Sequence, residues 1–318
     1  LAALLCAYTI VALARLGEIG RLPSGERVVI LAGWALLYAG TVWSARRGRG
    51  RWRLRFEADA GAMIALVVLT GMMATSLLAP LVAGSHPADV APATRYEAPS
   101  TSHPMGTDRF GRDVWSRVVH GGRASFGVCI LSVALAVAIG TLFGAISGIA
   151  PRRLDDAMMR GVDGLLSFPR LLLLLTAVAL APPGPGTLAV FIAMTGWMGM
   201  ARIVRGEVRR MRGREFVEAG VATGVGRTRL LARHLLPNAL GALVVAATLN
   251  AGTVILVESS LSFLGLGLAP PTPSWGGMVF DGRDALGAAW WVSAFPALAI
   301  TVAVVGLNVI GDGVRDAL

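Results

Sequence analysis

The chain has 318 residues, of which 55% are apolar and 15% charged, with a mean hydropathy of +0.66. A soluble domain carries about a quarter charged residues, so the composition specifies an integral membrane protein. The net charge of +10 does not imply nucleic acid, because the arginines cluster between apolar runs as topology determinants do.

All 29 basic residues are arginine. A Walker-type phosphate loop needs a lysine, so any ATP used by this protein is bound by another chain. Cys6 and Cys129 both lie in apolar runs, where a thiol behaves as a small hydrophobe; no disulfide framework or zinc spacing follows.

A helix crossing the hydrocarbon needs about 20 mainly apolar residues. On that length the sequence predicts spans at 1–14, 28–45, 60–83, 124–150, 161–181, 186–204, 238–261 and 286–311. The first two predict an extra N-terminal transmembrane hairpin over 1–45, joined by a basic cytoplasmic linker, 46–59, to a six-span domain at 60–318. Arginines at 46–55, at 152–160 and at 202–214 fall in alternating connections, which assigns those to the cytoplasm. Segments 84–123, 182–185 and 262–285 are then external.

In the first external segment Asp108 and Gly111 predict a turn. From Asp113 the sequence predicts an interfacial amphipathic helix, with Val114, Val118 and Val119 on one side, Ser116, Arg117 and His120 on the other, and Trp115 as anchor. His103, Asp108, Asp113 and His120 match no helix-face metal spacing, and arginines lie among them. Gly140, Gly144 and Gly148 repeat every four residues, a packing face for another helix; no GxGxxG follows a strand. Asp163 and Arg170 are expected to snorkel to the interface at the start of the 161–181 span. Glu258 is placed near the outer end of its span, leaving the span centres uncharged.

The longest basic connection is "REFVEAGVATGVGRTRLLARHLLPN", 214–238. Glu215 and Glu218 share a helical face, with Phe216, Val217 and Val221 as apolar contacts. Gly224 and Gly226 then break the helix. A second helical piece carries Leu230, Leu231, His234 and Leu235, and Pro237 suits the first turn of the next span. Further on, "LAPPTPSWGGM" (268–278) predicts an ordered external loop with Trp275 at the interface, and "DGRD" (281–284) a surface turn.

The spacing Glu218-Ala219-Gly220, Gly224, Leu236-Pro237 resembles the EAA loop of ABC importer membrane subunits. "HPMGTDRFGRDVWSR" (103–117), "DGLLSFPRLLL" (163–173), "ESSLSFLGLGLAPPTPSWGGM" (258–278) and "NVIGDGVRDAL" (308–318) resemble the dipeptide/oligopeptide (and nickel) permease family, its C-type subunit in particular. Together they cover about residues 60–318. Two departures are Gly220, where the family has alanine, and His234, where isoleucine is usual.

The resemblance implies an all-α integral membrane protein with the six-helix type I ABC importer core, multi-pass in the bacterial plasma (inner) membrane. It implies a transport subunit, not an enzyme and without cofactor, forming half of a path for peptides or a related solute. The implied partners are a second homologous permease, two cytoplasmic ATPase subunits and an extracytoplasmic binding protein. Glu215, Glu218, Ala219, Gly220, Gly224, Leu236 and Pro237 then form the ATPase-coupling loop within about 205–237, with Ala219, Gly220 and Ala222 allowing close approach of the partner. Gly106, Thr107, Asp108, Gly111, Arg112 and Asp113 form the family's external motif. A stand-alone secondary transporter is the alternative; it needs coupling-ion sites at mid-membrane, which the sequence does not display.

Overall fold

The computed structural model describes residues 56–181 and 184–318; the predicted hairpin over 1–45 and the linker up to residue 55 lie outside them. Helices dominate: α1 Ala60–Leu77, α2 Ala79–Val82, α3 Val114–Ile149, α4 Arg152–Leu166, α5 Arg170–Ala179, α6 Pro185–Arg212, α7 Glu215–Ala222, α8 Arg227–Leu230, α9 Leu236–Phe263, α10 Trp275–Gly282 and α11 Trp291–Ala317. Among the described residues, extended pairing is confined to one antiparallel bridge between Thr107 and Asp113. Five of these helical segments are long and apolar enough to cross a membrane: α1, α3, α6, the run from Thr228 through α9, and α11.

The expected span at 161–181 is instead a bent pair. α4 and α5 meet at 76° across Ser167-Phe168-Pro169. Proline cannot donate to the helical ladder, and the residue before it is pushed out of the α region. The hydrophobic run therefore breaks there, and α4 carries Arg152, Arg153, Asp156, Arg160 and Asp163 on a strongly amphipathic helix. α5 alone has ten residues, about 15 Å of rise, or half of the roughly 30 Å hydrocarbon layer.

α3 is one continuous 36-residue helix rather than an interfacial helix feeding a span. The supposedly polar side is inside the fold: Ser116 is fully buried and Arg117 is 5% exposed, because Ser116 donates to the Ser85 carbonyl at 2.7 Å and Arg117 finds carboxylates. The glycine repeat packs against α6 as expected. A Cβ at Gly140 would stand 2.5 Å from the Met200 Cβ, and one at Gly144 would fall on the Ala201 carbonyl. Only hydrogen side chains let the two backbones come that close.

Glu258 on α9 ties that helix to α3. Its side chain is fully buried and accepts hydrogen bonds from the hydroxyls of Ser262 (2.9 Å), Ser125 of α3 (3.3 Å) and Ser259 (3.4 Å). Beside it, Trp275 opens α10 at 1% exposure, donates from Nε1 to the Val118 carbonyl at 2.9 Å and meets Phe126 edge-on. Trp275 is thus a core residue, not an interfacial anchor; the proline-rich loop ends in the cap residue Ser274, whose hydroxyl accepts from Gly277 N–H, and this turns the chain back into the protein.

Candidate coupling and outer-motif sites

The arginines after the α6 span do more than mark topology. Arg205 grips Asp155 of α4 with two hydrogen bonds, Nε at 2.6 Å and Nη2 at 2.7 Å, and Arg209 adds a third at 2.8 Å. The Ser147 hydroxyl of α3 donates to the same carboxylate, Arg202 pairs with Asp163, and Arg212 donates to the Gly148 carbonyl at 3.1 Å. Asp155 is buried at this junction, so α3, α4 and α6 are locked into one base at the arginine-rich end. Nothing local in the sequence marks Asp155; its arginine partners are 50 and 54 residues away.

From this base the chain turns at Gly213 into α7. Val217 is buried with Met211, Leu230, Leu235 and Ala239, an apolar cluster that fastens α7 to α6, α8 and α9. The helix ends in a Schellman motif: Val225 N–H donates to the Gly220 carbonyl and Gly224 N–H to that of Val221, both at 3.0 Å. The residue at this position must be left-handed, and Gly224 has φ +78°. The predicted break at Gly224 is therefore where the chain bends. Pro237 lies in the first turn of α9 as expected. Ahead of it residues Leu231–Leu235 form a π turn, with Leu236 N–H donating to the Leu231 carbonyl; a proline that crowds the preceding turn and offers no N–H opens the ladder in this way.

The predicted loop residues do not share one environment. Glu215, Glu218 and Ala219 are exposed, together with Phe216 at 42% and Val221 at 60%. Gly220 faces inward, where a Cβ would stand 3.1 Å from Leu230 Cδ1. Its small size thus serves packing of α7 on α8, whereas of the three expected apolar contacts Val217 is buried and Phe216 and Val221 are exposed.

At the opposite end the motif folds on itself. Gly106 and Gly111 have φ of +70° and +72°, and a Cβ at Gly111 would fall on the Ala91 carbonyl. Thr107 bridges to Asp113 and its carbonyl accepts from Trp291 Nε1 at 3.1 Å. Asp113 caps α3 by accepting from Ser116 N–H at 3.0 Å and contacts His103 Nδ1 at 3.3 Å. Asp108, 1% exposed, accepts from Phe110 N–H (2.8 Å), Arg112 N–H (3.0 Å), Arg112 Nε (2.7 Å) and Arg117 Nη1. Arg117 also reaches Asp281 of α10 at 3.1 Å, with Arg109 and Arg112 near the same carboxylate. Asp281 therefore sits on the half-buried edge of this charge network rather than in a free surface turn. Burial, then the neighbouring Arg117, push the Arg112 guanidinium below its usual range, and Asp108 and Asp281 pull it back. With each carboxylate already bonded to arginine or a helix terminus, this cluster is a clamp between loop, α3 and α10. Between His86, His120, Arg123, Pro185 and Pro271, at the same end, a cavity of about 560 Å³ opens.

A helical bundle with a stapled, amphipathic connection at its arginine-rich end has clear relatives. Residues 140–318 match the family model for the binding-protein-dependent transport system inner membrane component. The chain belongs to this family. It is similar to the dipeptide transport system permease protein DppC of Alkalihalophilus pseudofirmus, 39% identical over 270 residues, covering 84% of this chain and 89% of that protein. It is 38% identical over 265 residues to the oligopeptide transport system permease protein OppC of Bacillus subtilis, covering 83% and 87%. Against a putative peptide permease protein of Brucella suis the identity is 41% over 265 residues, covering 83% and 88%. Among solved structures, an inward-facing MetNI methionine ABC transporter shares the fold, with a TM-score of 0.53 and 20% identity, over 64% of this chain and 96% of that one.

The chain is therefore a transport permease of the C-type peptide branch, an inner-membrane protein built on the type I importer fold. The family match spans the base, the α7–α8 connection and α9 to α11; the outer motif precedes it but lies within the segment aligned with the relatives.

Proposed function

We propose that this permease forms half of the membrane path of an ATP-driven peptide importer and receives the work of ATP through α7. The observation that carries the reading is that α7 is fastened to three other helices by Val217, yet leaves Phe216 and Val221 exposed beside Glu215 and Glu218. Exposed apolar residues on a rigid, acid-edged helix suit the groove of a partner protein.

The positive-inside rule assigns that end to the cytoplasm, and a chain without lysine cannot build its own phosphate loop. A separate pair of ATPase subunits supplies it. A second, homologous permease completes the path, and an extracytoplasmic binding protein delivers the solute at the motif end. The peptide substrate class follows the names of the relatives. Closing of the ATPase pair displaces α7, and the apolar cluster under it passes that displacement to α6 and α9.

The test is the double variant Glu218→Arg, Val221→Asp in the full complex. Both side chains are exposed, so membrane insertion and assembly with the second permease should persist, whereas co-purification of the ATPase and peptide uptake should be lost. Uptake equal to that of the unaltered complex refutes docking through α7.

A further inference from the structure

The break at Pro169 puts a cation where the sequence predicts none. Arg170 opens α5, and α5 accounts for only about half the membrane thickness. Its side chain is half-buried and does not snorkel. Nε donates to Thr195 Oγ1 at 3.1 Å and Nη2 to the Ile192 carbonyl at 3.5 Å. Thr195 lies ten residues into α6, again about 15 Å from its end. Asn250, nearby, is at the centre of α9. Three helices thus place this cluster independently at mid-depth.

Among the described residues no carboxylate pairs with Arg170, and two of its five N–H groups have protein acceptors. Asn250 Nδ2 is buried with no hydrogen-bond partner. The two donors converge over a glycine. A Cβ at Gly196 would stand 3.4 Å from Arg170 Nη2, 3.9 Å from Asn250 Nδ2 and 3.7 Å from the Ala136 Cβ. Both donors thus lie against the same glycine of α6. An uncompensated cation in a membrane interior is costly and marks a functional position; an orphaned donor beside it adds to the same cost.

We propose that Arg170 and Asn250 form a carboxylate-binding subsite that takes the C-terminal carboxylate of a peptide in transit, with Thr195 as the positioning residue that orients the guanidinium. The proposal rests on the peptide reading above. A planar carboxylate accepts from a guanidinium edge and an amide together, and such charge-assisted bonds are the strong ones. Arginine does not titrate in proteins, so this site binds an anion and does not carry a proton.

The experiment uses the complete importer in proteoliposomes with its binding protein outside. Initial uptake is compared for one tripeptide with a free C-terminus and for its C-terminal amide. The binding protein is the same throughout, so its own preference cancels when acid-to-amide ratios are compared between variants. Arg170→Gln should lower that ratio about tenfold, equivalent to about 1.4 kcal/mol, and Arg170→Lys should retain part of it. Asn250→Leu removes an unsatisfied buried donor and so avoids a folding defect of that origin; it should lower the ratio severalfold. An unchanged ratio in both Arg170→Gln and Asn250→Leu overturns the proposal. So does equal loss of both peptides in Arg170→Gln, the signature of an arginine paired with a carboxylate of the partner permease. Import of neither peptide by the unaltered complex refutes the peptide reading itself and this ligand with it.

Discussion

Replacing Asp108 with asparagine tests the outer clamp most directly. The carboxylate accepts four hydrogen bonds, two from backbone N–H groups on Oδ1 and two from Arg112 and Arg117 on Oδ2. Asparagine can keep the first two. Its Nδ2 then faces both guanidinium groups, donor against donor, and leaves two buried cations short of charge. Breaking a buried ion pair from one side costs about 3–5 kcal/mol. Asp281 provides the control, since its side chain is 18% exposed and its contacts with the three arginines run from 3.1 to 3.5 Å. In Asp281→Asn, Arg117 keeps Asp108, and the loss should be nearer about 1 kcal/mol, as for a partly solvated pair. At about 2–4 °C per kcal/mol, apparent melting should fall by about 10 °C for Asp108→Asn and about 3 °C for Asp281→Asn. Tryptophan fluorescence of the detergent-purified complex is a suitable assay, because Trp291 is bonded to the Thr107 carbonyl inside the clamp. Asp108→Asn melting within about 2 °C of the unaltered protein, or no lower than Asp281→Asn, refutes the buried-network account.

Two further substitutions separate packing from conformation. Gly144→Leu must push α3 off the Ala201 backbone and should cost at least the roughly 1–3 kcal/mol of overpacking, visible as lower thermal stability; Gly127→Ala on the same helix meets nothing within 4 Å and should be neutral. Gly224→Ala forces a left-handed residue to carry a Cβ at about 1–2 kcal/mol. Because the strain is confined to the Schellman turn, faster proteolysis between α7 and α8 should appear while the global melting temperature stays within a few degrees. Equal effects of Gly144→Leu and Gly127→Ala, or unchanged cleavage in Gly224→Ala, would contradict these assignments.

Five of the six spans expected over 60–318, the break at Gly224, the start of α9 at Pro237 and the α3–α6 glycine face were legible in the sequence, since each depends on residues a few positions apart. Ser167-Phe168-Pro169 carried its own helix-breaking signal, but the apolar run around it outweighed that signal in a reading based on length. The side of a residue that faces the protein was less accessible. Ser116 and Arg117 looked polar and external, Trp275 interfacial and Gly220 partner-facing, and each was reassigned by a contact from a distant segment.

The sequence by itself determined a multi-span helical protein with a short separate helix in its longest basic connection, because hydrocarbon thickness and helix capping act on local runs of residues. Only the tertiary structure decided which charges neutralise one another. Asp155 with Arg205, Asp108 with Arg117 and Asp281 with Arg117 are pairings set by the tertiary fold, as is the placement of Arg170 beside Asn250 with no carboxylate partner among the described residues. In a low-dielectric interior those partnerships govern the cost of each charge, and no spacing along the chain encodes them.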